Sequence, residues 1–389
     1  MSGARSRWGR RGVSIRAAGV AGLLLSGVLL PCALATREAT AARASRDEGS
    51  FAILETLVNT PGVSTREQPV RDKIRSLLPS WAHPEVDAKG NLLVTVGPER
   101  GAKSALFIAH MDETGYLVTA LREDGGLDVK PVGGFFETLY EGQVVLVHTA
   151  KGDVGGVVPP RPGYLEPSAA DKPAAFGKEM VRVDIGASSR AVAEGLGIAA
   201  GDSVSIPKEF KRLYGSFGTG RAVDDRAGCT ALLLAMRSLD PKGLRQRVTF
   251  AFSVEEETGL DGAKVLARTL RPDLVIAVDT FVSSDTPLER PAFAHAILGK
   301  GAVVRAIDSS YIADPALVDR VVTLARQAGI PLQYGLTRGG NDGSVFPEIG
   351  SPDLALSWPT VHSHSPVEVI NEKDLDGLAA LVGLIAERW

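Results

Sequence analysis

Several histidine and acidic side chains of this chain stand directly after its most apolar segments or at the start of an apolar helix. In chain order they are His110 with Asp112, Asp224, the glutamates Glu255 to Glu257, Asp279 and, near the C-terminus, His364. Imidazole and carboxylate groups together bind zinc-like ions, and several carboxylates with two imidazoles are enough for two ions. A water between two such ions ionises near neutral pH, and a carboxylate that binds no metal can accept its proton. The inventory predicts a two-metal hydrolytic site.

Each of these groups also has an ordinary structural explanation. His110 alone is more often a hydrogen-bonded core histidine, and an isolated triple glutamate is usually a solvated loop. Asp224 could serve only as the N-terminal carboxylate of a helix, and His364 could lie in a loop without function. Taken together, in this order and at these positions, the groups favour a metal site.

The elements that must position these groups follow from the apolar pattern. The runs 104–109, 247–254 and 274–278 are short, almost continuously apolar and typical of central strands covered on both faces by helices. In open α/β sheets ligands bind at the carboxyl ends of the strands, so the side chains after these runs are expected to converge. Helices are predicted within 51–78, with an interruption near Pro61-Gly62, and over 227–239, 315–328 and 372–388 behind an Asn371 cap.

The segment 117–215 has a different pattern. It contains short alternating runs such as GQVVLVHT and GDSVSI, separated by Gly, Pro and Asp. That pattern is typical of a small β-barrel or sandwich, and α/β pattern stands on both sides of it. We therefore expect a three-layer α/β/α sandwich, formed by catalytic segments 51–116 and 216–389, with an inserted small β-barrel domain.

Seven segments resemble the tetrahedral (TET) or glutamyl aminopeptidase family of dinuclear metallopeptidases, in the zinc exopeptidase clan. They are AHMDETGYLV, AVDDRAGC, SVEEETGLDGA, IAVDT, GGND, HSPVEV and, inside the insert, VDIGASSRAVAEGLGIAAGD. The resemblance implies a zinc exopeptidase-like fold and a metallo-aminopeptidase that removes N-terminal residues from short peptides. It also implies two divalent ions per subunit, with zinc preferred over cobalt or manganese, and a homo-oligomer in which the insert joins subunits.

The resemblance further implies a role for each candidate site residue. One ion would be held by His110 and Asp279, the other by Glu257 and His364, with Asp224 as the bridge and a cis peptide from Asp224 to Asp225. Glu256 would be the general base and acid, Asp112 would orient His110, and the pocket wall would include Gly340, Asn341 and Asp342. The chain departs from the family in its third glutamate and in Asn341, where Thr is usual.

The N-terminal segment 1–35 is basic at its start and free of charge from residue 17 to residue 35. This order of charge and apolarity predicts a signal peptide, cleaved after Ala33-Leu34-Ala35 or after Ala39-Thr40-Ala41, with a membrane anchor as the alternative. A linker is expected at 36–50. The enzyme would then act outside the cytoplasm, whereas most members of the family are intracellular. Cys229 would be its one cysteine.

Composition excludes other classes of protein. The chain has 389 residues and 44% hydrophobic residues, which rules out a disordered protein, and no Lys/Arg run outside the leader could neutralise nucleic-acid phosphates. Two other functions stay open at this point. One is a metal-dependent deacylase or amidohydrolase acting on a non-peptide amide, and the other is a non-catalytic binding or assembly protein with the same fold.

Overall fold

The computed structural model describes most of the chain from residue 49 onward. The described residues are 49–99, 102–160, 181–207, 209–285 and 295–389. The predicted leader, its two cleavage sites and nearly all of the predicted linker lie outside them. Within the described ranges, no helix is both long and apolar enough to cross a bilayer.

Seven α-helices lie in the described part of the chain. They are α1 (Ser50–Val58), α2 (Gln68–Leu77), α3 (Arg190–Gly195), α4 (Val223–Ser238), α5 (Asp261–Thr269), α6 (Pro315–Ala328) and α7 (Glu372–Arg388). The last two helices, α6 and α7, have the predicted bounds. Each has a local start signal: α6 begins with a proline after an Asp314 cap, and the Asn371 side chain at the start of α7 accepts from the Lys373 N–H. The sequence did not predict α5, since nine residues give too few turns for a clear period.

The main sheet has eight strands within the described residues. Strands are numbered in chain order across all sheets, so the numbers within one sheet are not consecutive. The main sheet contains β1 (Pro84–Val86), β2 (Leu92–Val96), β3 (Ser104–His110), β12 (Arg247–Ser253), β13 (Leu274–Val278), β15 (Ala302–Ile307), β16 (Leu332–Leu336) and β17 (Asp353–Ser357). Their spatial order is β1-β2-β12-β3-β13-β17-β15-β16. The central strands β12, β3, β13 and β17 are mutually parallel, which is why the three predicted runs are apolar throughout.

Helices cover both faces of this sheet. One face of the sheet packs in the largest hydrophobic cluster with side chains of α1, α2, α4, α6 and α7. The other face of the sheet packs against α5 and the 3-10 turns Asp342–Val345 and Pro347–Ile349. The predicted three-layer α/β/α sandwich is confirmed.

A second sheet forms the inserted barrel. Its strands are β4 (Gly115–Leu121), β5 (Leu127–Val132), β6 (Val144–Thr149), β7 (Gly152–Val157), β8 (Arg182–Val183) and β9 (Ser203–Ser205), in the order β7-β6-β9-β4-β5-β8. Val157 and Asp184 exchange two backbone hydrogen bonds of 2.8 and 2.9 Å, which join the two edges. The sheet therefore closes around a separate hydrophobic core, and the expected small β-barrel is confirmed. The boundaries of the insert, 117–215, stay a prediction.

Two smaller sheets complete the described strands. One contains β10 (Lys211–Arg212), β11 (Phe217–Gly220) and β19 (Glu368–Asn371), and the other contains β14 (Phe281–Val282) and β18 (Pro359–Thr360). Val361 and Val369 pair across the turn between β18 and β19. This turn presents the segment with His364 beside the carboxyl ends of the central strands.

Candidate metal centre

The carboxyl ends of β3, β12 and β13 open into a cavity of about 660 Å³. Parallel pairing aligns these ends, since Ser253 of β12 is opposite His110 of β3. Among the described residues, the charged or imidazole side chains of the lining are His110, Asp224, Glu256, Glu257, Asp279, Arg305, Arg338 and His364. All five predicted metal ligands are thus brought together.

His110 is the last residue of β3 and is almost fully buried. Its Nδ1 lies 3.1 Å from the carbonyl oxygen of Asp112 and 3.4 Å from Asp112 Oδ1. Because a carbonyl oxygen can only accept, Nδ1 carries the proton and Nε2 presents a lone pair to the cavity. Nε2 faces Asp224, whose Oδ1 is 3.3 Å away.

His364 approaches the same carboxylate from the opposite wall. Its Nδ1 donates to the carbonyl oxygen of Gly134 in the barrel, so its Nε2 also presents a lone pair. Nε2 lies 3.4 Å from Asp224 Oδ2 and 3.4 Å from Glu257 Oε1. The two imidazoles therefore face different oxygens of one carboxylate.

Asp224 stands at the start of α4, and the peptide bond to Asp225 is cis, as the resemblance implied. The buried Asp225 side chain accepts from the backbone N–H groups of His110 (2.8 Å) and Gly228 (3.0 Å), which fixes the strand end to the helix. The backbone N–H of Asp224 donates to Glu368 Oε2 at 3.2 Å. Asp224 is thereby held with its carboxylate between the two imidazoles.

The triple glutamate divides between two environments. Glu255 turns away from the cavity and pairs with Lys89 at 2.7 Å. The backbone N–H groups of Glu256 and Glu257 donate to Asp112 Oδ1 (3.0 Å) and Oδ2 (3.2 Å), and both side chains line the cavity. Asp112 therefore fixes the glutamate loop as well as the His110 ring.

Asp279 follows β13 and lies beside a buried arginine. Arg305 Nη1 is 3.6 Å from Asp279 Oδ1, and its Nη2 is 2.9 Å from Asp308 Oδ2. Arg305 also donates to the carbonyl oxygens of Thr280 and Gly340, so it ties three segments of this wall together.

The electrostatics of the cluster favour added positive charge. Burial has the largest influence on the pKa of both glutamates. It raises the pKa of Glu256 well above its usual range, although His110 acts in the opposite direction. It also raises the pKa of Glu257 to about 8. Burial raises the pKa of Asp224, but the two facing imidazoles, His110 first, outweigh it and hold this pKa below the usual range. Burial opposes protonation of His364, yet Glu257 and Asp224 raise its pKa to about 11. The imidazoles therefore attract protons, and a metal cation satisfies the same demand.

The donor set fits divalent metal ions. One ligand atom each from His110, Asp224 and Glu257 lies within 4.8 Å of the others. Asp224 Oδ1 is buried and has no hydrogen-bond partner in the described part of the chain, while the lone pair of His110 Nε2 faces it. An imidazole nitrogen and a carboxylate oxygen in contact hold a proton or a metal cation between them, and imidazole with carboxylate is a ligand set that zinc and similar ions take.

Comparison with known proteins agrees with this geometry. The model of the M42 glutamyl aminopeptidase family matches residues 90–381. The chain belongs to the M42 family. It is 32% identical to a putative aminopeptidase of Acetivibrio thermocellus over 86% of this chain and 98% of that protein. It is 29% identical to the glutamyl aminopeptidase of Lactococcus lactis, over 83% and 92% respectively.

A solved M42-like structure has the same fold. The TET1 peptidase of Pyrococcus horikoshii, described as assembling into a tetrahedron or a large octahedral shell, superimposes with a TM-score of 0.81 at 36% identity. The match covers 88% of this chain and all of that one. The chain is accordingly a metallo-aminopeptidase of the zinc exopeptidase-like fold, as its sequence predicted. M42 enzymes are dinuclear metallopeptidases, and the cluster described above is the candidate metal-binding group.

The predicted pocket-wall residues of this M42 chain occupy different positions. Gly340 lines the cavity. Asn341 and Asp342 are buried and are not among the described residues that line the cavity. The Asn341 amide donates to Asp308 Oδ2 at 2.9 Å, and Asp342 Oδ2 accepts from Ser253 Oγ. Their side chains support the wall from behind.

Sequence reasoning missed several contributors to the M42 site. Glu368 accepts from the backbone of both Asp224 and His364, and its four-residue spacing from His364 within HSPVEV was an available signal. Arg305 gives no such signal, because it lies in the middle of a strand. The carbonyl of Gly134 could not be read from any side chain, since it acts through the backbone.

Proposed function

We propose that this M42 enzyme removes N-terminal residues from short peptides with two zinc ions. His110 and Asp279 would hold one ion, Glu257 and His364 the other, and Asp224 would bridge them. The observation that carries the proposal is the position of the two imidazole Nε2 atoms, 3.3 and 3.4 Å from different oxygens of Asp224. A carboxylate placed in this way can bind one ion through each oxygen.

Two ions held by these residues would supply an acidified water and a positive charge for the carbonyl oxygen of the scissile bond. Glu256 is the group that accepts and returns the proton. Its Oε2 lies 3.9 Å from His110 Nε2, and burial, opposed by His110, holds its pKa well above the usual carboxyl range. A carboxylate in this position can take a proton from the water and return it to the departing amine. Asp112 keeps Glu256 in place through the backbone.

A substrate panel tests the proposed reaction. The zinc-loaded enzyme should hydrolyse dipeptides and aminoacyl anilides with a free amino group, and chelation should remove the activity until zinc is restored. The same panel includes N-acyl amino acids, which a deacylase would prefer. Faster turnover of the N-acyl compounds would reject the aminopeptidase assignment in favour of the deacylase alternative. Cobalt and manganese should be compared with zinc at equal loading.

The barrel is the proposed subunit contact. The TET1 peptidase of P. horikoshii forms closed shells, and this chain carries a barrel with exposed apolar side chains such as Val144 and Val157. We expect a homo-oligomer, which sedimentation of the mature chain measures directly.

Export is proposed from the leader alone. The arginine-rich start followed by an uncharged apolar stretch at 17–35 supports translocation. The mature protein should begin after residue 35 or residue 41, and the intact mass of protein from the extracytoplasmic fraction checks this. A full-length mass in the membrane fraction would support the anchor instead, and recovery from the cytoplasm would reject export.

A further inference from the structure

A loop of the barrel reaches into the catalytic cavity. Gly134, Phe135 and Phe136 follow β5 and belong to the described lining. The loop is attached to the metal site, because the Gly134 carbonyl oxygen accepts from His364. It is also packed closely: Gly133 has a φ of 81°, and a Cβ atom at this position would lie 2.5 Å from Thr114 Cγ2.

The backbone on both sides of Phe136 is fixed. The Phe135 ring packs edge-on against Tyr116, with 5.2 Å between ring centroids, and lies 4.7 Å from Tyr140. Both tyrosines are fully buried in the barrel core. On the other side, the N–H of Leu139 donates to the Phe136 carbonyl oxygen at 2.9 Å, closing a 3-10 turn. Phe136 therefore stands on a rigid support.

The Phe136 side chain is held in solvent at the mouth of the cavity. It is 77% exposed, whereas Asp224 and Arg305 on the cavity floor are 4% and 1% exposed. An aromatic ring buries a large apolar area when a ligand covers it, at little cost in side-chain freedom. The Phe136 ring on this fixed loop therefore offers an apolar contact to a ligand that extends through the mouth of the cavity.

We infer that Phe136 is a specificity-determining residue, which favours peptides with a bulky apolar residue directly after the scissile bond. The inference rests on the proposed aminopeptidase function. In that reaction the N-terminal residue is the end of the substrate and lies on the closed floor with the metal ligands. The following residues must leave through the mouth, where Phe136 stands. The second residue of the substrate is therefore the one that covers its ring.

Two matched series of dipeptides test this assignment in the metal-loaded enzyme. The first keeps leucine at the N-terminus and varies the second residue among glycine, leucine and phenylalanine. The second keeps glycine in second place and varies the first residue among alanine, leucine and phenylalanine. The proteins compared are the wild type, Phe136→Ala, Phe136→Leu and the control Val192→Ala, which removes an exposed side chain of the helix α3, away from the cavity lining.

Phe136→Ala should raise KM for leucyl-phenylalanine about tenfold, through lost apolar contact area, with kcat within about twofold of wild type. KM for leucyl-glycine and for the whole second series should stay unchanged. Phe136→Leu should retain most of the preference, and Val192→Ala should behave as wild type. Metal content should be equal in all four proteins.

Three results would overturn the inference. One is an equal change of KM for leucyl-glycine and leucyl-phenylalanine, and another is a change that follows the first residue. The third is unchanged selectivity with a changed sedimentation coefficient in Phe136→Ala, which would make the ring an assembly contact. A wild-type enzyme that cleaves neither series would reject the proposed function, and the inference with it. An active wild type with an unaffected Phe136→Ala variant would reject the inference alone.

Discussion

The two walls of the cavity are built in different ways. On the sheet side, side chains at the strand ends are buried and held by specific hydrogen bonds, as in the contacts of Asp112 with the backbone of Glu256 and Glu257. On the barrel side, the contribution is the backbone carbonyl of Gly134 and the exposed ring of Phe136. In the proposed function the sheet supplies the chemistry, and the barrel orients one imidazole and lines the mouth. The barrel thus contributes to the cavity in addition to its proposed role in assembly.

The largest effect is expected from removing the shared carboxylate on the sheet side. Asp224→Ala removes the carboxylate that both imidazoles face, so both ions should be lost and activity should fall to that of the chelated enzyme. Metal analysis after gel filtration measures the ion content. Ser363→Ala is the matched control, since Ser363 only donates to Asp224 at 3.3 Å and should leave both ions bound. An Asp224→Ala protein that kept two ions would exclude the bridge.

A smaller effect is expected from the barrel side. Gly133→Ala should push the loop away from Thr114 and displace the Gly134 carbonyl from His364, which should weaken binding of the ion at His364 about tenfold. Gly142→Ala is a matched control: its φ of 74° imposes a similar backbone cost, but no atom lies within 4 Å of the added Cβ. Zinc competition with a chromophoric chelator measures both affinities. Equal affinities in the two variants would show that the barrel does not support the metal site.

The same difference explains what could be predicted from the sequence. The central strands are mostly apolar because parallel strands are covered on both faces, and the polar residues at and after their ends stand out by contrast. The chain positions of His110, the triple glutamate and Asp279 follow from that contrast, whereas the choice of Glu257 among the three glutamates came from the resemblance to the family. The helix Glu372–Arg388 could be bounded because Asn371 caps it locally.

The rest depends on approaches between distant segments. Gly134 contacts His364 across 230 positions of the chain, and it does so through an atom that every residue possesses. Phe136 is exposed although phenylalanine is usually buried, so its residue type gave no sign of its position. Asn341 and Asp342 were expected at the pocket wall, but their polar groups are used by Asp308 and Ser253 behind it. Such contacts require the tertiary structure.

The central claim is that Glu256 moves the proton and binds no metal. Ion content and turnover of a leucyl dipeptide, measured on the same preparation of Glu256→Gln, test it most directly. We predict two ions per chain, as in the wild type, with kcat lowered by about 10²- to 10⁴-fold, because the amide cannot accept the proton. Turnover at the wild-type rate would contradict the claim, and so would the loss of an ion from the variant.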